Sequence, residues 1–431
     1  MKRIPIIVLD NGASSVKVGI TTSQKDVRIV SNAIVRSKGD KITYFGHEFD
    51  TCKDFSSLHF RLPFERGYLV DWDAQKAIWD GIFSDQVLNI DTAETSLLIT
   101  EPYFNLPNIQ EVYDQFIFEE YEFQSYLGST AAALVPFGQL FSSPGLPKPE
   151  CILVVDAGFS FTHIVPIMGG TVLWSAVKRI DVGGKLLTNH LKELVSFRQW
   201  NMMEETYIMN DVKEKCCYVS TQFAVDLETC RSDKTHNTIV QEYVLPDLSR
   251  NRRGYIRQPD DPPVDGEQIL YMGNERFSIP EVLFCPDHIG LHQAGLGEAI
   301  VQSISLLPED LQGMFWANIG LIGGSTKLPG FAARLMAELR PCAPADCEIK
   351  IYESKDAITE AYKSAMALAM TSTFSNLAVT RAEYLEGGSG YCRRKFGTDY
   401  ERGGNEEYRR TSPPSVPVKV RTRTVSAAKR R

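Results

Sequence analysis

The sequence predicts an α/β fold of two lobes, made by using one β-hairpin–helix unit twice. Three stretches predict it. The apolar run Ile4-Pro5-Ile6-Ile7-Val8-Leu9 ends in Asp10 and turns at Gly12. A second run, Ile152-Leu153-Val154-Val155, ends in Asp156 and turns at Gly158. The same opening device at two places suggests an internal duplication. A third apolar strand, Ile319-Gly320-Leu321-Ile322, opens onto Gly323-Gly324, and a helix starts near Phe331.

Taken in chain order, residues 4–9, 15–20 and 27–30 read as short strands around a hairpin. Residues 31–66 carry turn signals at Gly39-Asp40 and Gly46 and form a small insert. Trp72 to Val87 has the apolar spacing of a helix, with Asp71 or Asp73 as its cap. Ser96 to Thr100 is a central strand, Pro107 to Phe118 a helix, Phe118 to Phe123 a second strand-like run and Ala131 to Phe137 a short apolar helix. A linker at 142–149 precedes the second hairpin. Helices follow Gly183-Gly184 as far as Leu194, then Met209 to Val219 and Leu296 to Leu307, with a polar loop at 249–267.

The chain has 431 residues, enough for two or more cores. Apolar content of 43% and charged content of 23% are those of a soluble globular protein. No apolar run approaches the roughly 20 residues of a membrane helix, so no membrane partner is expected. The basic start Met1-Lys2-Arg3 leads straight into the first strand and does not read as a signal peptide. Nine scattered cysteines without a CxxC pair fit a reducing compartment. Cys285, His288 and His292 have a metal-like spacing, but Pro286 and Gly290 interrupt it and a loop with solvated histidines is the expectation. The net charge of −8 is unevenly placed: residues 398–431 carry nine Arg/Lys and four Asp/Glu, leaving the tail at +5 and the body at −13. That tail, with three prolines and few large apolar residues, is expected to be disordered. It fits a nuclear signal or a nucleic-acid contact, and equally a solvated extension.

The two Asp hairpins carry the chemistry. A buried strand ending in a carboxylate and a tight Gly turn gathers backbone N–H groups and one negative charge at a point. Two such hairpins face to face could hold a polyphosphate, with both carboxylates turned to a hydrated Mg²⁺. The alternative for Asp10 and Asp156 is a pair of strand-end turn residues. The tip of the second hairpin carries Phe159 where a phosphate cradle wants a small or polar residue. The cleft therefore reads as built to hold a nucleotide and poorly built to hydrolyse one.

These motifs resemble actin along nearly the whole folded chain. Asp10-Asn11-Gly12 through Lys17 is similar to actin's first phosphate loop and Asp156 to His163 to its second. Asn89 to Pro102 is similar to its central strand and Asp211 to Val219 to its adenosine-side helix. Gly273 to Phe277, Ile322 to Phe331, Arg381 to Tyr384 and Arg393 to Phe396 complete the resemblance. It implies the actin-like, ribonuclease H-like duplicated fold with a nucleotide cleft. Expected boundaries are an outer lobe at 1–30, 67–150 and 341–397 with its insert at 31–66. The inner lobe takes 151–182 and 270–340 with an insert at 183–269, and the tail begins at 398.

Within that superfamily, Phe118 to Phe123, Ser196 to Met203 and Glu242 to Asp247 resemble the actin-related protein 6 family rather than conventional actin. That resemblance implies a nuclear protein, also found in the cytoplasm. It implies a scaffold subunit of an SWR-type remodelling complex, which exchanges a core histone for its Z-type variant, with a HIT-type zinc-finger subunit among the partners. Direct DNA or nucleosome contact is expected from the tail and the 250–257 loop. For the site it implies ATP or ADP with Mg²⁺ as a structural cofactor: Asp10 and Asp156 on the metal's water shell, Lys17 on the β-phosphate. Gly12, Ala13, Ser14, Gly158 and Ser160 supply the phosphate cradle, and Lys213, Glu214, Gly183, Gly323 and Gly324 hold the ribose and adenine. No catalytic residue and slow or absent hydrolysis are expected, because Phe159-Ser160 replaces Asp-Gly and the water-orienting Gln falls near Ala131. The altered 31–66 insert and the extra 249–267 loop speak against a homo-filament. The competing readings are an active ATPase of the superfamily, such as a chaperone or sugar kinase, and a cytoskeletal filament subunit.

Overall fold

Ile6–Asn11 is the hub of the first sheet. In the computed structural model, which describes residues 4–397 apart from 24–25, 40, 56, 233–236, 248–252, 259 and 263–264, it pairs antiparallel with Ser15–Ile20 and parallel with Ser96–Glu101. Its continuous apolar run suits a strand covered on both faces, and Ile7, Val8 and Leu9 are all buried. The sheet runs Val379–Thr380, Ser125–Thr130, Ser96–Glu101, Ile6–Asn11, Ser15–Ile20, Arg28–Ser31.

The second sheet repeats the same plan. Cys151–Ala157 pairs antiparallel with Thr162–Met168 and parallel with Ile319–Ile322, which pairs in turn with Ile351–Glu353. The registers place Asp10 opposite Lys17 and Asp156 opposite His163. Each sheet has its own core. Ile7, Leu9, Ile99, Trp79 and Tyr113 fill one, and Leu153, Val155, Leu321, Ile300 and Leu335 another. The fold is the mixed α/β, two-lobed one that the duplicated hairpin predicts.

Helices form where the spacing and caps place them. Trp72–Phe83 starts at Asp71, whose carboxylate accepts the Ala74 N–H at 3.1 Å. Gly184–Arg198, Thr206–Cys216, Leu296–Ser305 and Phe331–Leu339 lie on the second lobe. Among the described residues there are also a two-stranded sheet, Phe64–Glu65 with Tyr68–Leu69, and two small three-stranded ones. One joins Ile34–Ser37 to Thr43–Phe45 and Leu58–Arg61, the other Gln241–Val244 to Tyr255–Ile256 and Ile269–Met272. The outer edge of Ile269–Met272 is met by side chains. Gln199 donates to Tyr271 O at 2.9 Å and accepts its N–H at 2.8 Å, and the Trp200 indole donates to Ile269 O at 3.1 Å.

Two expectations are corrected. Phe118 to Phe123 is not a strand: Pro107–Gln115 runs on into a wide helical turn, Phe116–Glu120, and Glu122 then reverses the chain at φ +58°. Phe118, Tyr121 and Phe123 are all buried in one core, so their spacing reflects a turn wrapped around that core rather than a two-residue alternation. The strand lies further on, at Ser125–Thr130. The polar 249–267 stretch is not loop throughout. It contains the strand Tyr255–Ile256, and Arg257 is held between Glu242 and Glu267 at 2.7 and 2.5 Å. Its charge is thus neutralised within the protein.

The nine cysteines are free thiols. Among the described residues no group of three His, Cys, Asp or Glu is placed to hold a metal, and His292 turns to Asp287 at 3.2 Å. Among the same residues no helix is long and apolar enough to cross a membrane. The basic tail 398–431 and residues 250–252 lie outside the described residues.

Candidate functional site: a cleft between two Asp hairpins

A cavity of about 540 Å³ opens between the sheets, within the size range of small-molecule sites. Asp10, Gly12, Ala13, Ser14, Lys17, Asp156, Gly158, Ser160, Lys213, Glu214, Gly323 and Gly324 all line it. Gly183 does not; its neighbour Gly184 does.

The first hairpin is a fixed charge pair on a tight turn. Lys17 Nζ lies 3.3 Å from Asp10 Oδ2, and the Thr100 hydroxyl donates to Asp10 Oδ1 at 2.8 Å while accepting the Asn11 N–H at 2.8 Å. A Cβ at Gly12 would stand 2.9 Å from Ser15 O and 3.4 Å from Lys17 Nζ, so only glycine lets the turn close over the lysine.

The second hairpin is pinned to the helix that follows it. Gly158 O and Phe159 O accept the N–H groups of Gly184 and Lys185 at 3.0 and 2.8 Å. A Cβ on Gly183 would come within 2.6 Å of Phe159 O. Gly183 therefore acts from behind the hairpin, as the residue that permits this close approach. Gly323, at φ +91°, does the same for the third turn, where a Cβ would lie 2.4 Å from Ala157 O. The second hairpin, the helix that follows it and the third turn converge because backbone packs on backbone.

Burial and the nearby Asp10 push the Asp156 carboxyl up to about 6, against the opposing pull of Tyr103 and Lys17. Its strand partner His163 goes the other way: burial, with Arg179 adding to it, lowers the imidazole to about 3, so the ring is neutral at physiological pH. Lys213 spends its three N–H donors on Gly184 O (3.1 Å), Thr188 Oγ1 (2.9 Å) and Asn210 Oδ1 (2.9 Å), and burial lowers its pKa. Asn210 also donates to Glu214 at 2.7 Å, joining the two residues of the expected adenosine pocket. The glycine cradles, the Lys17–Asp10 pair and the two facing carboxylates fit a nucleotide polyphosphate with a hydrated divalent cation.

Two features are not visible in the sequence alone. Tyr103, from the first lobe, reaches across the floor, where its hydroxyl donates to Asp156 Oδ2 at 2.8 Å and its ring stacks on His163. It stands just beyond a parallel strand's carboxyl end, where ligands of α/β sheets bind, and that position was the available signal. The two inserts also touch. Phe55 stacks on Tyr207 at 4.9 Å and 10°, and Phe49 meets the same ring edge-on at 5.5 Å. Lys38 pairs with Glu204 at 2.7 Å, and Glu205 accepts the Ser57 N–H at 3.2 Å. Tyr207 sits one turn before Asn210 on the helix that lines the cavity, so these contacts close the cleft on that side.

The family model described as Actin matches residues 1–397. An actin-like protein ARP6 from Cryptococcus neoformans is 51% identical over 91% of this chain and 85% of its own length. Another, from Yarrowia lipolytica, is 40% identical over 90% of this chain and 97% of its own. Actin-related protein 6 of Drosophila melanogaster is 36% identical over 89% and 97%. With an actin-type cleft between duplicated lobes and a family match that runs the length of the described chain, this protein belongs to the actin family.

Proposed function

We propose that this protein is a scaffold subunit of an SWR-type chromatin remodelling complex and that it binds an adenine nucleotide structurally without turning it over. The supporting observation is similarity across about nine-tenths of the chain to proteins named actin-related protein 6 in fungi and a fly. In this reading it works mainly in the nucleus, beside a HIT-type zinc-finger subunit, in the exchange of a core histone for its Z-type variant.

Asp10 and Asp156 would face the water shell of Mg²⁺, and Lys17 would supply a point charge to the phosphates. Gly12, Ala13, Ser14, Gly158 and Ser160 would offer backbone donors and room for close approach. Glu214 would take the ribose and adenine side with Gly323 and Gly324. The Lys213 amine is already committed to three protein acceptors, so it would shape that pocket through its stem and through Asn210. Phe159 at the hairpin tip and Ala131 without a polar side chain support holding over hydrolysis.

Affinity capture of the tagged full chain from nuclear extract, followed by mass spectrometry, tests the assignment. Remodeller subunits should co-purify in stoichiometric amounts. Recovery of the protein alone, or as ATP-dependent pelleting polymers, would overturn it.

A further inference from the structure

Tyr103 joins the two lobes at the floor of the cleft. It follows Ser96–Glu101 of the first sheet, yet its ring lies on the imidazole of His163, with centroids 4.1 Å apart and 30° between the planes. Its hydroxyl donates to Asp156 Oδ2 at 2.8 Å and accepts the Ala132 N–H at 3.0 Å. The single donor of the phenol is spent on a carboxylate that lines the cavity. The side chain itself is buried.

Hydrolysis of a phosphoanhydride needs a water held in line, beside a group that orients it or takes its proton. Around the two hairpins the lining carboxylates and imidazole are Asp10, Glu101, Asp156 and His163, and Glu101 accepts from Asn105 and Gln110. Asp10 is bound to Lys17 and Thr100. Asp156 Oδ2 accepts the Tyr103 O–H, and one face of His163 lies under the Tyr103 ring. Ala131, next to the amide that the hydroxyl holds, has no polar atom on its side chain.

We propose that Tyr103 is the positioning residue that makes this cleft a holding site: its ring fills the space beside His163 that a reactive water needs, and its hydroxyl occupies one oxygen, Oδ2, of the carboxylate that would orient that water. This rests on the nucleotide-binding reading above. A missing orienting group alone would leave the floor wet and the nucleotide slowly hydrolysed. A ring in its place keeps the floor dry.

The experiment uses the full chain with Tyr103→Phe, Tyr103→Ala and Tyr103→Ala/Ala131→Gln, and with Tyr103→Leu read in place of the alanine variants if those do not fold. Diethylpyrocarbonate labelling of the nucleotide-free protein, mapped by mass spectrometry, reports whether the His163 face is covered. His163 should stay protected in the wild type and in Tyr103→Phe, and become modified in Tyr103→Ala. Calorimetric titration with Mg-ATP and Mg-ADP then measures binding, and single-turnover release of phosphate from bound ATP measures hydrolysis. The double variant should bind like the wild type and release phosphate at least about tenfold faster, the low end for supplying a proton-handling group. Equal protection of His163 in Tyr103→Ala would overturn the proposal. So would a wild type as fast as the double variant, or a double variant that binds but does not accelerate. If neither protein binds nucleotide, the nucleotide reading fails and this proposal falls with it; if both bind and only the acceleration is missing, the nucleotide reading stands.

Discussion

Removing Tyr207 should let bound nucleotide out faster. The ring makes two contacts across the cleft, stacked on Phe55 at 4.9 Å and edge-on to Phe49 at 5.5 Å. Aromatic pairs of these geometries are worth about 0.5–1.5 kcal/mol each beyond the area they bury. If both must separate before the inserts part, Tyr207→Ala lowers the opening barrier by about 1–3 kcal/mol, which is about 5- to 150-fold in rate at roughly 1.4 kcal/mol per decade. Lys38→Ala should change the rate little, because its partner Glu204 is an exposed surface charge. The assay is stopped-flow release of a fluorescent ATP analogue chased with excess ATP. Small-angle scattering of the nucleotide-free protein adds a second reading, since the variant should show a larger radius of gyration. An off-rate within twofold of the wild type, with the radius unchanged, would refute the reasoning.

Asp156 and His163 face each other in register and should impose opposite pH slopes on stability. The folded carboxyl, raised to about 6, keeps a proton that the unfolded chain has lost, so its contribution falls as pH rises from about 4 to 6. The folded imidazole, lowered to about 3, lacks a proton that the unfolded chain binds, so its contribution rises with pH until the ordinary histidine value near 6.5. Relative to the wild type, melting temperature should therefore gain a positive slope between pH 4 and 6 in Asp156→Asn and a negative one in His163→Gln; parallel curves for all three would contradict this. Arg334 grips buried Glu281 with two bonds of 2.8 and 2.7 Å and holds Glu338 at 2.7 Å. Arg334→Ala should cost about 3–5 kcal/mol, read as a lower urea midpoint, and Arg334→Met with Glu281→Leu should recover most of it. Deleting residues 398–431 should leave the melting temperature unchanged and weaken nucleosome binding at low salt, with the salt slope falling by about one unit for each phosphate no longer neutralised. Arg257→Ala should leave that slope as it is, because Glu242 and Glu267 already neutralise the guanidinium.

What the sequence made legible is what lies close together in it. Asp10 and Asp156 end apolar runs and precede glycines, so both hairpins and the duplication can be read from a few adjacent residues. The Asp71 cap and the helix after it are equally local. Tyr103 was not legible, because its meaning comes from Asp156 and His163 on the other sheet. The Phe55–Tyr207 contact was hidden for the same reason: each aromatic alone reads as core. Lys213 shows a subtler limit. Its place in the cavity followed from the resemblance, but the three acceptors that occupy its amine depend on how two helices pack. Phe118 to Phe123 failed because aromatics two and three apart suit a strand or a wrapped turn equally well, and only the core they enter decides.

The side chains along Ile269–Met272 bear on how this protein can be approached. An unpaired strand invites another chain to add itself by main-chain bonding. Here the Gln199 amide imitates a neighbouring peptide, donating to and accepting from Tyr271, and the Trp200 indole covers Ile269 O. A visiting strand finds the rung at Tyr271 taken and the Ile269 carbonyl covered. Contact at Tyr271 is therefore made through side-chain shape, which discriminates between visitors, rather than through backbone, which every polypeptide carries. Cutting Gln199 back to alanine would uncover a rung and replace selectivity with stickiness.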